Sequence, residues 1–309
     1  MYQVKDFIQT REGLLFAVVH GEPELGRVLV FLRYAWTAEQ WLKLNSDEAN
    51  SYLLQHAPQY LWHSSLLDAD LHAVPVNSIQ RHYHPRQVLE EILASSSHDP
   101  VLMDLKHLCR LLAEKDFNLK QLGITGSCLL GLQKHSSDLD FVCYQRSDFM
   151  RLRQVVEQLI IEAHCQSLTT HDWLDAFQRR GCVDLSLDDY IWHEQRKFNK
   201  GIIHQRKFDI SLVNPSSEHC QHYQKLGYVT LTAHVTDDSA AFDYPACFVI
   251  DDAEIQEVVS FTATYNGQAQ VGETIIAAGQ LEMDGTGKKR LVIGSNREAV
   301  GEYIRVVRV

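Results

Sequence analysis

Gly126-Ser127-Cys128-Leu129-Leu130-Gly131-Leu132-Gln133-Lys134-His135-Ser136-Ser137-Asp138-Leu139-Asp140-Phe141-Val142 is the stretch on which the reading of the fold turns. A short apolar run, Leu122-Gly123-Ile124-Thr125, leads into it and reads as a strand. A strand that ends in Gly-Ser and passes into a helix offers backbone N–H groups, a hydroxyl and the positive end of a helix dipole, all suited to an anionic phosphate. Asp138 and Asp140 then stand at i and i+2 of the next strand, so both carboxylates leave one face while Leu139 and Phe141 point to the other. The same alternation in Lys207-Phe208-Asp209-Ile210-Ser211-Leu212-Val213 turns Asp209 and Ser211 away from an apolar face. If the two strands adjoin, three carboxylates meet at roughly the 4.8 Å interstrand spacing. Two unit charges of like sign ~4 Å apart repel by on the order of 4 kcal/mol at an effective dielectric of ~20, so such a cluster calls for cations. Oxygen-only ligands beside a phosphate-binding turn suit Mg²⁺ or Mn²⁺ better than zinc. Asp184, Asp188 and Asp189 are rivals for the third carboxylate, though their surroundings read as helical.

Outward from this centre the chain reads as α+β in three parts, with boundaries near residues 1–95, 96–220 and 240–309. In the middle part Asp99-Pro100 is an N-cap and first-turn pair, and Val101, Leu102, Leu105, Leu108, Leu111 and Leu112 recur at helical spacing. Ser147 or Asp148 caps a further helix striped by Met150, Leu152, Val155, Val156, Leu159 and Ile160, and another runs from about Leu185 to Asn199 and ends near Gly201. The strand of Asp209 stops at Asn214-Pro215. Upstream, Gly13 to His20 and Arg27 to Tyr34 form a hairpin, followed by an aromatic-rich stretch (Trp36, Trp41, Tyr52, Tyr60, Trp62) without a clean periodicity. Downstream, short strands at Val258 to Thr264, Glu273 to Ala277, Gly279 to Met283 and Arg290 to Ile293, broken by Asn266-Gly267 and Asp284-Gly285-Thr286-Gly287, read as a small β module resembling a barrel.

At Gly126, Ser127, Gly131, Ser137, Asp138 and Asp140 the sequence matches G-S-x-x-x-G-x-x-x-x-x-S-D-x-D, and so resembles the DNA polymerase β-like nucleotidyltransferase superfamily. The resemblance covers roughly residues 100 to 215. The flanking parts resemble three-part archaeal and bacterial members with a β-rich C-terminal module. It implies a central catalytic domain with a mixed sheet and helices, between an N-terminal α+β region and a C-terminal small barrel-like module. It also implies two metal ions on Asp138, Asp140 and Asp209, a nucleoside triphosphate such as ATP held at Gly126 and Ser127, and attack of an acceptor hydroxyl on the α-phosphate. The acceptor in that superfamily is an RNA 3′ end, a protein hydroxyl (AMP transfer, as in some toxin–antitoxin members) or a small molecule. RNA is favoured here because two added regions suit a large acceptor. A silent nucleotide- or RNA-binding module is the alternative, and the presence of all three carboxylates speaks against it.

Over 309 residues the formal charge is −11, which disfavours a broadly basic nucleic-acid surface. Residues 196 to 207 run against that balance, with Arg196, Lys197, Lys200, Arg206 and Lys207 and no acid. Placed on one helical face with His193, Arg196 and Lys200 are candidates for contacts to the triphosphate or to acceptor phosphates. Apolar runs of about half a dozen residues are too short for the roughly 20 that a membrane span needs. No signal peptide is visible, and seven scattered cysteines without a CxxC pair fit reduced thiols in a cytoplasm. His82-Tyr83-His84 puts two imidazoles on one face if extended, but no third ligand can be placed from sequence. Cys128 reads as a small buried thiol, the aromatics of residues 34 to 62 as core, and Lys288-Lys289-Arg290 as a charged hairpin end.

Overall fold

Strand-forming runs rich in Val, Ile and Phe open the chain, and they pair into one large antiparallel sheet. The computed structural model describes all residues except 68, 181–183, 214–222, 296–299 and 309. The protein is α+β, and the chain divides into two compact units, one of residues 1–144 with 208–215 and the other of residues 145–207 with 216–309. No helix among the described residues is long and apolar enough to cross a membrane.

The first unit begins with β1 (Phe7–Thr10), β2 (Leu14–Val18), β3 (Arg27–Trp36), β4 (Trp41–Lys43), helix α1 (Ser46–His56), β5 (Leu61–Ser64), β6 (Ala69–Pro75) and β7 (Ile79–Tyr83). The strands form a sheet in the order β5-β6-β3-β2-β1-β7, with β4 on β3. The expected hairpin is the β2–β3 pair. One face buries Ile8, Phe16, Val28, Val30 and Leu32 against Ala49 and Leu53 of α1. The aromatic-rich stretch is divided among β3, β4, α1 and β5, with Tyr60 fully buried in that core and Trp36 exposed. Helix α2 (Pro85–Ala94) follows, then α3 (Pro100–Glu114), whose first amides at Val101 and Leu102 donate to Asp99 Oδ1 at 2.8 and 3.4 Å as the Asp-Pro pair dictates. Then come β8 (Leu122–Thr125), α4 (Gly126–Leu130) and β9 (Leu139–Cys143).

The chain continues through α5 (Arg146–Ile161), α6 (Thr170–Arg180), α7 (Leu187–Gln195), β10 (Lys200–Ile203) and β11 (Arg206–Leu212), which enters the first unit at Phe208. Two helix ends differ from the sequence reading. α5 starts at Arg146 with Gln145 as its N-cap and no side-chain cap bond, so neither Ser147 nor Asp148 caps it. α7 stops at Gln195 rather than near Gly201, because Phe198 takes φ 49°, Lys197 is buried onto Glu194, and Gly201 lies inside β10. The Asn214-Pro215 stop, Cys182 and Cys220 lie outside the described residues.

The second unit ends in β12 (Gln224–Asp237), β13 (Ala246–Ile250), β14 (Ile255–Ser260), β15 (Thr274–Met283), β16 (Lys289–Ile293) and β17 (Tyr303–Val306). β12 pairs with both β13 and β15, so the ring β12-β13-β14-β16-β15 closes as a five-stranded barrel, and β17 adds to β15. The segments Glu273 to Ala277 and Gly279 to Met283 are one continuous strand, β15. Ala233, Phe248, Val258, Leu291 and Ile304 fill the barrel, with Leu185 packed against them.

Candidate active site

Gly126 begins α4 at φ 65°, and a Cβ placed there would collide with Asp140 Oδ2. A side chain is therefore excluded twice, by the left-handed backbone and by the neighbouring carboxylate. Five residues on, Gly131 takes φ 67° as the left-handed cap that ends α4, where the Leu132 amide donates to Ser127 O at 2.9 Å. Ser137 accepts the Lys134 amide on its hydroxyl at 2.9 Å and donates its own amide to Lys134 O at 2.8 Å, closing the turn that delivers Asp138. The small residues of the motif thus build the path between two strands, and each has a backbone reason for being there.

β8 pairs antiparallel with β9, and β11 pairs parallel with β9 on its other side. In register, Thr125 faces Asp140 and Asp140 faces Asp209, so the three residues form one row across adjoining strands. Side chains of such a row share a face of the sheet. Asp138 stands one residue before β9 and is exposed, which corrects its placement within the strand. Asp140 is partly buried, and burial together with Asp209 and Asp138 pushes its carboxyl up to about 6 against the pull of Lys5 and Lys43. Among the described residues no three ligating atoms of Asp138, Asp140 and Asp209 lie mutually within 4.8 Å.

The strand-end row is braced from the large sheet of the same unit. Leu129 of α4 packs with Phe7, Leu15 and Tyr34, the Thr125 hydroxyl donates to Lys5 O at 2.8 Å, and the buried Tyr34 hydroxyl is raised above its usual range by burial, with Asp140 adding to the effect. Lys5, Tyr34 and Lys43 are thus neighbours of the carboxylates in charge if not in sequence. Nothing in the sequence signals them, because they lie about a hundred residues away on strands with no motif of their own.

Arg196 and Lys200 each have an acidic partner. Arg196 makes a two-point ion pair with Glu273 at 2.6 and 2.5 Å and lies 4.4 Å over the Trp192 ring, while Lys200 meets Glu194 at 2.6 Å. Lys197 is buried on the other oxygen of Glu194, and Lys207 faces Asp172 at 3.4 Å. The locally basic segment is therefore answered by acids of its own unit, and His193 is buried, its Nδ1 bonded to Gln268 O at 3.0 Å. Arg196 and Lys200 do not share a helical face, since Arg196 caps α7 and Lys200 opens β10. The rival carboxylates belong to the second unit as well, where Asp184 accepts the Gly301 amide and Asp189 pairs with Arg308 at 2.6 Å.

Fold and site together define an α+β protein with a small-residue turn running into a row of strand-borne carboxylates. The protein named Uncharacterized protein MJ1086, from Methanocaldococcus jannaschii, is 32% identical to it over 338 aligned positions, covering 99% of each chain. The chain belongs to the same family as that protein. No family model matches, and no solved structure matches.

Proposed function

We propose that this protein is a metal-dependent nucleotidyltransferase that moves a nucleoside monophosphate from a nucleoside triphosphate to an acceptor hydroxyl and releases pyrophosphate. The observation that carries the reading is the register row Thr125–Asp140–Asp209, continued on one side by the Gly126–Ser127 turn and flanked by Asp138. The donor set fits Mg²⁺ or Mn²⁺, being oxygen-only, and Asp140 carries a raised carboxyl that a cation would relieve. Two such ions would supply charge neutralisation at the phosphates and acidify the acceptor hydroxyl.

The chain's own residues do the rest. Gly126, having no side chain, leaves its backbone open to a phosphate, and the Ser127 hydroxyl donates to a phosphate oxygen. Asp138, Asp140 and Asp209 would hold the cations, which would neutralise the substrate phosphates, and Asp209 takes the acceptor proton on a carboxylate oxygen. The acceptor oxygen bonds to the α-phosphorus as the bond to the β-phosphate breaks, and pyrophosphate leaves with that electron pair. Reaction in a cytoplasm accords with the cysteines at 109, 128, 143 and 165, which are buried thiols outside any disulfide.

An RNA 3′ end is the acceptor we favour, because most of the 309 residues lie outside the catalytic strands and so are available to a large acceptor. The protein is incubated with each α-labelled nucleoside triphosphate, Mg²⁺ or Mn²⁺, and either total RNA or cell lysate. Label entering RNA supports the reading, and label entering protein keeps the transferase while replacing the acceptor. The pair Asp138→Ala and Asp140→Ala should abolish transfer in a folded protein, and transfer that survives both changes sinks the assignment.

A further inference from the structure

Away from the carboxylate row, the first unit gathers three ligating side chains that the proposed transfer does not use. Asp6 is buried immediately before β1, and β7 pairs antiparallel with β1 so that Phe7 faces Tyr83 and Ile8 faces His82. His84 follows β7 in an extended conformation (φ −102°, ψ 117°) as the N-cap of α2, so it leaves on the same side as His82. Their ring centroids are 3.8 Å apart. Asp6 Oδ2 lies 2.7 Å from His82 Nε2 and 4.0 Å from His84 Nδ1, and it also accepts the Gln3 amide at 2.9 Å. Among the described residues this is the one group of three or more His, Cys, Asp or Glu whose ligand atoms all lie within 4.8 Å of one another.

We propose that Asp6, His82 and His84 bind one divalent transition-metal ion, with zinc the best match to the donors. Two imidazole nitrogens with one carboxylate suit zinc and its neighbours, whereas Mg²⁺ and Ca²⁺ take oxygen ligands. Bonds of about 2.0 to 2.2 Å in a tetrahedral site set ligand atoms roughly 3.3 Å apart. The His82–Asp6 contact opens slightly to reach that spacing, with the ion in place of the shared proton, and His84, which is exposed, swings in. Three protein ligands and an exposed histidine leave the fourth position to water or a small anion. The Gln3 amide donates to the same Asp6 Oδ2 and so helps fix the carboxylate's orientation, as outer-shell donors do at metal sites.

The cluster is wired to β8 at two points. Lys5, next to Asp6, accepts the Thr125 hydroxyl, and Pro85, next to His84, lies against Gly123. An ion here would therefore clamp the start of the chain and the entry to α2 onto β8, the strand that ends at Thr125 just before Gly126. The site does not depend on the transferase reading, and its test is separable from that one.

Full-length protein stripped with a chelator is titrated with Zn²⁺ alone in competition with a chelating dye, and separately with Co²⁺. The expected result is one tight zinc per chain, a Co²⁺ spectrum of four-coordinate intensity, and a higher Tm with zinc. Removing a ligand should cost at least about 100-fold in affinity, more than the loss of an outer-shell partner. His84→Gln, at an exposed position, should show that loss with its circular dichroism unchanged, and His82→Gln the same. The triple change Asp138→Asn, Asp140→Asn and Asp209→Asn should leave zinc binding intact. Absence of stoichiometric zinc on the wild-type chain, equal affinity in His84→Gln, or loss in the triple variant alone would each overturn the proposal. Should either histidine variant misfold, the wild-type Co²⁺ spectrum decides, an octahedral aquo-like spectrum counting against the site and leaving Asp6–His82 as a hydrogen-bonded pair only.

Discussion

Asp140 is in conflict with its surroundings, and the conflict is measurable. Its carboxyl is raised to about 6 by burial and by two other carboxylates, so the folded chain holds that proton more tightly than the unfolded chain does. In chelated buffer at pH 7.5 the charged form weakens the fold, and Asp140→Asn should therefore stabilise it by up to about 3 kcal/mol. As pH falls through 6 towards 4 the wild-type carboxyl takes up its own proton and the advantage fades. Urea unfolding of both proteins at pH 7.5 and 4.5 checks the sign, and the stabilised variant should be inactive in transfer. Gly126→Ala argues the other side of the same contact. With φ 65° and Asp140 Oδ2 in the way, it should cost about 1 to 3 kcal/mol in thermal unfolding and lower transfer at least tenfold.

At the scale of elements, local chemistry was legible and long-range pairing was not. The Asp99 cap, the Gly-Ser turn between β8 and α4, and the alternation of β9 and β11 are written within a few residues of where they act. Asp99→Ala should lose about 1 kcal/mol of stability, read from the denaturant midpoint at unchanged slope, because two amides at the start of α3 lose their acceptor. The parallel register that sets Asp209 opposite Asp140 could be supposed from alternation but not fixed by it, since a slip of two residues keeps the same faces. The end of α7 was missed because a buried Lys197–Glu194 pair and the turn at Phe198 outweigh helix propensity there. Arg196 and Lys200 read as candidate phosphate contacts on one helical face, and their ion pairs with Glu273 and Glu194 were not legible because the fold, not a sequence motif, brings those partners together. Asp6 was invisible beside His82 and His84 for the same reason, being 76 residues from His82 and brought to it by the β1–β7 ladder.

Over the whole molecule, each unit buries a neutral histidine. In the first unit His72 Nδ1 accepts the Leu32 amide and Nε2 meets Asn50 Oδ1, and burial presses its pKa down to about 4. In the second, burial and then Lys197 and Arg196 press His193 to about 3, with Nδ1 on Gln268 O. Both stay unprotonated in the folded chain while their unfolded counterparts take up protons near 6.5. Stability conferred by each is therefore full above pH 6.5 and is lost as pH falls towards 4, by about 3 kcal/mol at each site at the low end. Denaturation scanned from pH 7.5 to 4.5 should show a steep fall, shallower in His72→Gln.

The path of β11 sets a limit on how this chain can be divided. Its strand starts among residues of one unit and finishes in the other, and Asp209 lies on the finishing half. A chain ending at Tyr144 would keep Gly126, Ser127, Asp138 and Asp140 but leave one side of β9 with a bare row of amides and carbonyls. An open strand edge of that kind, carrying the buried Leu139, Phe141 and Val142, templates association with other chains. The natural failure of a molecule truncated before β11 is accordingly precipitation rather than a smaller stable fold, and the presence of the polypeptide around residue 208 becomes a condition of solubility.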